Sequence, residues 1–216
     1  MHKVVWILAM AAVCGCATSG RSQSQQTVAS GDKVMQEIEA AQAQLTKTVG
    51  ALTALGTNPE GDIVKKFDGY VAELSKLDSC VLALRDRSTA LAAKREEYMK
   101  KWLEQTSTIQ NVQMKEVAAN RRTELASDFM VVNGKGTAVK KAYAPLQALL
   151  QDFKRFLEAD LTSAAVKSLA PELEKVGKQA DEVQALVQDY KTALGDVLKK
   201  MAPPPPPPAP EEKKNP

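Results

Sequence analysis

Histidine is nearly missing: among 216 residues the only one is His2. Beyond that position the chain has no usual general base near neutral pH, no Ser-His or Cys-His nucleophile pair, and few means of binding zinc. Cysteine is almost as scarce, with Cys14, Cys16 and Cys80 alone. Aromatics make up 5% of the chain and the formal net charge is +3. Nucleic-acid binding calls for a basic patch with interleaved aromatics. Here the basic doublets, Lys65-Lys66 to Lys154-Arg155, are scattered among acids and read as solvated surface. No Gly-rich phosphate loop, HExxH or GxSxG occurs, and no metal site or cofactor is expected. Glu96-Glu97 and Glu172-Glu174 read as solvated helix faces. These absences argue against an enzyme.

What the chain does have begins with "AMAAVCGCATSG", Ala9 to Gly20. Lys3 and the apolar run Val4 to Val13 form the n- and h-regions of a secretory signal peptide. That run is too short for a membrane span, which needs roughly 20 apolar residues. Val13-Cys14-Gly15-Cys16 has the aliphatic and small residues that a bacterial lipobox places before its cysteine. Cys16 is therefore the expected lipidation site and first mature residue, with residues 1–15 removed; Cys14 as acceptor would put Val13 where a small residue belongs. Loss of Lys3 leaves a net charge of about +2. Three acyl tails hold a protein stably on a bilayer without crossing it. Ala17 in place of Asp points to the outer membrane, facing the periplasm. After lipidation only Cys80 remains, so no intramolecular disulfide can form. Beside a helical core position, Cys80 reads as a small buried hydrophobe.

Residues 16–31, including "TSGRSQSQQTVASG", are poor in apolar side chains and read as a flexible tether. Residues 202–216, "APPPPPPAPEEKKNP", lack the N–H groups that helix and sheet need and read as a polyproline II rod with a charged tip. The tail is either a solvating extension or a docking spacer for a proline-recognising partner or the cell wall.

Between these ends, residues 32–201 carry apolar side chains at alternating steps of three and four, the 3.5-residue period of coiled coils. The longest seam runs Phe67, Tyr70, Leu74, Leu77, Val81, Leu84, Ser88, Leu91, Arg95, Tyr98 and Trp102. Others run from Val34 to Leu55, from Val139 to Leu157, and from Val166 to Met201. The pattern predicts an all-α, elongated antiparallel coiled-coil bundle with left-handed supercoil. Three long helices are expected, at about 61–107, 113–161 and 163–201. A shorter one at about 32–56 folds back along one half, so that four helices give way to three. "LGTNPEGD", Leu55 to Asp62, is a turn, and Thr162 is an N-cap candidate. "VNGKGT", Val132 to Thr137, could mark a loop, but the seam resumes in register and favours a weakened or kinked helix. Pro145 and Pro171 are expected to bend helices or mark first turns.

From Trp102 to Tyr190 the segments "KKWLEQTSTIQN", "RRTELASDF", "YAPLQALLQDFKRFLEADL" and "AAVKSLAPELEKV" resemble an uncharacterised family of bacterial lipoproteins, a domain of unknown function (DUF2959-like). The resemblance is strongest over about residues 95–195. It rests on Trp102, Pro145-Leu146, Asp152, Phe156-Leu157 and Leu161, with the spacing from Phe129 to Pro145. Where the family pattern has Lys-His-Asn-Leu-Asn, this chain has Glu158-Ala159-Asp160-Leu161-Thr162. The resemblance implies a helical, membrane-anchored envelope protein and no particular activity.

Two functions fit these residues. The first is a non-enzymatic envelope scaffold or adaptor, held to the membrane by its lipid and binding an envelope protein or the cell wall. The second is a binder of lipid or another apolar ligand, using a cavity where four helices become three. There Arg95 could meet an anionic head group; otherwise it snorkels and pairs with Glu96 or Asp152. Nothing in the pattern specifies the oligomeric state.

Overall fold

The half-heptad spacing buries one stripe on each helix, and the computed structural model, which describes residues 20–202, joins those stripes into one bundle. Its helices are α1 (Gly20–Thr57), α2 (Ile63–Ser107), α3 (Val112–Ala159), α4 (Ser163–Ser168) and α5 (Ala170–Met201). At ~1.5 Å per residue, α2 and α3 are each about 70 Å long. Asp62, Asn111 and Thr162 cap α2, α3 and α4 by accepting backbone N–H bonds from Lys65, Met114 and Ala165.

Two expectations at the N-terminus are corrected. The tether read over residues 16–31 is helical from Gly20 onward, and the first helix, 38 residues long, is not short. Its seam continues backward from Val34 through Gly31, Thr27 and Ser24, all buried. These residues are not apolar, but each fits the interface. Leu198 packs where a Cβ on Gly31 would lie. Thr27 Oγ1 donates to the carbonyls of Gln23 and Lys94, and Ser24 Oγ donates to that of Met201.

Because α1 runs the full length, four helices do not give way to three. One apolar cluster combines Leu52, Tyr70, Leu150 and Val176; the other combines Ile38, Leu91, Phe129 and Leu194. Each draws on α1, α2, α3 and α5, and Val187 packs against both. The topology is two helical hairpins, α1–α2 and α3–α5, docked through α1 and α5. The α2–α3 seam is the thinnest of the bundle's sides and is held by polar bonds. Asp78 accepts from Gln147 and Gln151 at 3.0 and 2.9 Å, and the buried Tyr70 hydroxyl donates to the Leu150 carbonyl.

The last helix, expected over 163–201, is divided in two. Pro171, at the start of α5, has no N–H to continue α4, which stops at Ser168. Pro145 does not break α3. Both it and Lys141, whose carbonyl loses its helical partner, lie exposed to solvent. The helix also runs unbroken through "VNGKGT". Gly136 lies under the Tyr190 ring, whose edge would stand 3.4 Å from an added Cβ, and burial raises the Tyr190 phenol pKa against an opposing effect of neighbouring Ser88. The polar break in the α2 seam and the glycine in α3 thus accommodate one tyrosine.

Gly134 has nothing within 4 Å of such a Cβ. Gly134→Ala is therefore expected to raise the unfolding free energy by about 0.5–1 kcal/mol through helix propensity alone. Urea denaturation followed by circular dichroism checks this; a destabilised variant would contradict it.

Candidate functional site

The two ends of the described chain meet at one pole of the bundle. Gly20, where α1 starts, abuts Gln105 in the last turns of α2. Ser24 bonds Met201 at the end of α5. The α2–α3 connection lies at the same pole, and beside it opens a cleft of about 450 Å³.

Three helices line this cleft. Seam residues Tyr98 and Trp102 of α2 stack at 5.5 Å between ring centroids with a 53° tilt. Leu125 of α3 and Met201 of α5 complete its apolar floor, and Arg121, Glu124, Asp128 and Lys200 form its rim. Lys200 Nζ lies 2.7 Å from Asp128 Oδ2, and that hydrogen bond holds its ammonium pKa above the ordinary lysine value. Burial pushes the Tyr98 phenol up, against the opposing effects of a Ser24 hydrogen bond and the nearby Arg121 charge. The cleft offers an aromatic face and two cations balanced by two carboxylates. At the other pole, a gap of about 10 Å³ between Leu55, Phe153 and Leu173 is too small for a ligand.

Residues singled out from sequence are distributed as follows. Cys16 and residues 203–216 lie outside the described residues. Arg95 does not stand free: its guanidinium sits 5.6 Å from the Phe129 ring centroid and its Nη2 lies 3.7 Å from Glu96. Asp152 pairs with Arg155 instead, at 2.9 Å. Glu97, Glu172 and Glu174 pair with Lys94, Lys175 and Lys178 on their own helices. The lysine hydrogen bonds hold the Glu97 and Glu174 carboxyls below the usual range. Cys80 is half-buried rather than in the core. Among the described residues, no cluster of three or more His, Cys, Asp or Glu is placed to hold a metal ion.

Sequence reasoning missed the tip of the α2–α3 hairpin. Leu103, Val112, Met114 and Val117 are exposed there, Val112 at 78%. The signal was present. Carrying the α3 seam back from Val139 through Val132, Phe129 and Leu125 passes over positions 112, 114 and 117, so their apolar side chains are out of register with the core.

The fold defines a class of elongated four-helix bundles made of two long antiparallel hairpins. The chain belongs to the family described as a protein of unknown function (DUF2959), which matches residues 16–199. No curated protein and no solved structure matches it. Within the family's residues, Leu146 and Leu157 lie in the core and Trp102 lines the cleft, whereas Phe156 is 42% exposed.

Proposed function

We propose that this chain is a non-enzymatic lipoprotein of the bacterial envelope, anchored through Cys16 to the outer membrane and acting in the periplasm as a helical scaffold or adaptor. The observation that carries the reading is Cys16 itself. A lipobox-like Val13-Cys14-Gly15 precedes it, the family match begins at residue 16, and the bundle begins four residues later. A rod about 70 Å long, with a proline-rich tail leaving its anchored pole, suits a protein that spaces or joins envelope components. Glu97, Glu172 and Glu174, the carboxylates an acid–base reading would use, are each paired with a lysine on their own helix, which favours a non-catalytic role.

In bacteria expressing the full chain, labelled palmitate is expected on the protein, with nearly all of it in the membrane fraction. Cys16→Ser is expected to take no label and to move largely to the soluble fraction. Equal partitioning of the two would overturn the anchor. Crosslinking in intact cells, with and without residues 203–216, tests the scaffold; a partner lost with the tail assigns docking to the tail, and no partner in either case counts against the role.

The cleft favours a second reading, a binder of a lipid or another apolar ligand. Native mass spectrometry of the extracted protein would show a retained ligand, and Trp102→Ala would reduce it.

A further inference from the structure

The hairpin tip combines three features that no helix packing explains. Leu103, Val112, Met114 and Val117 are 49–78% exposed within fifteen residues of chain. Across residues 100–122 the sequence carries five cations (Lys100, Lys101, Lys115, Arg121 and Arg122) and two carboxylates (Glu104 and Glu116); with Arg121 set against the cleft carboxylates Glu124 and Asp128, four cations remain against two acids. None of residues 112–124 of α3 is buried; Leu125 is the first that is. Exposed apolar groups at a helical tip, with cations at neighbouring positions, have the composition of an interfacial membrane contact. No helix among the described residues is long and apolar enough to cross a membrane, so such a contact would lie on the surface.

The position of the tip selects the occupant. Gly20 touches Gln105, two residues before α2 ends. Cys16 lies four residues before Gly20, and four extended residues reach at most about 14 Å. We propose that the tip of the α2–α3 hairpin rests in the head-group layer of the bilayer carrying the Cys16 anchor, its apolar side chains at the acyl boundary and its cations on anionic phospholipid. This rests on the lipoprotein reading. Trp102, just inside the tip, is a residue type that favours this layer. The contact gives the rod a second foothold and so sets its angle to the membrane; lipid alone would leave it swinging.

The test uses the full chain extracted from bacterial membranes and reconstituted into vesicles of phosphatidylethanolamine and phosphatidylglycerol. A photoactivatable diazirine amino acid replaces either Met114, 60% exposed at the tip, or Val64, 56% exposed near the opposite pole. The expected yield of phospholipid adduct, read by mass spectrometry, is at least about tenfold higher at position 114 than at 64. Lys100→Glu with Lys115→Glu, both exposed positions, is expected to lower the yield at 114 by about tenfold while circular dichroism stays unchanged. The same spectra report acylation of Cys16. Acylated protein with equal adduct at 114 and 64 overturns the tip contact and leaves the anchor standing. Lipid adduct at 114 on unacylated protein supports the tip and overturns the anchor; neither signal overturns both. An adduct at 114 to a second copy of the chain, instead of lipid, also overturns the proposal.

Discussion

Leu150→Ala is expected to lower the unfolding free energy by about 4 kcal/mol, near the upper part of the range for buried leucines. The midpoint of thermal unfolding should fall by roughly 10 °C for a chain of this size. Leu150 has no exposed surface and packs in the cluster formed by all four long helices. Its carbonyl accepts the Tyr70 hydroxyl across the thin α2–α3 seam. Removing its side chain therefore opens a cavity where three helices must otherwise shift together, and the backbone held by Tyr70 limits that collapse. Leu82→Ala is the matched control: at 59% exposure it should change stability by less than about 0.5 kcal/mol. Leu194→Ala, equally buried in the second cluster, is expected to cost about as much as Leu150→Ala. The two sites lie in separate clusters, so their effects should add within about 0.5 kcal/mol. Urea titrations followed by circular dichroism would check all three. A loss at Leu150 below about 1 kcal/mol would show that the cluster repacks freely.

Alkali should unfold the protein and titrate its tyrosines in one event. The chain has four tyrosines, and burial, the leading cause at each, raises the phenol pKa of Tyr70, Tyr98, Tyr143 and Tyr190. Nearby Asp78 adds to the shift at Tyr70 and Tyr143. Tyr143 Oη is also buried with no hydrogen-bond partner among the described residues. In the unfolded chain these phenols lose their protons near pH ~10. Above that pH the unfolded state holds fewer protons than the folded one, so stability falls as pH rises. The contribution is fully present below about pH 10 and is lost progressively toward the raised folded values. Phenolate absorbance should therefore appear together with the loss of helical circular dichroism. Phenolate forming while the helices stay intact would refute the burial argument. Tyr143→Phe, which removes a partnerless hydroxyl, should leave neutral-pH stability unchanged or higher and weaken the alkaline transition.

Most of the fold could be read from the sequence because the apolar period persists for so long. The seams through Phe67–Trp102 and Val139–Leu157 place α2 and α3 to within a few residues, and that from Val166 to Met201 covers α4 and α5 as one span. The start of α1 could not be read that way. Its heptad continues through Gly31, Thr27 and Ser24, which are buried because they let helices approach and donate to backbone carbonyls, properties invisible to a hydrophobic pattern. The division at Pro171 and the continuity through Pro145 differ because one proline opens a helix while the other faces water. The partnership of Tyr190, Ser88 and Gly136 needs the register between helices, which no single strand of sequence contains. At the terminal pole, Tyr98 and Trp102 were legible as seam residues. The cleft they line was not, because it forms only where α2, α3 and α5 meet in space.

The meeting of α1's first turn with α5's last has a mechanical corollary. Tension applied between the two termini would act on one pole, where Ser24 holds Met201. Such a load peels neighbouring coils apart one rung at a time, whereas a pull along opposite poles must shear every rung together. The molecule is thus built to yield softly when tugged by its ends and to resist when stretched from pole to pole.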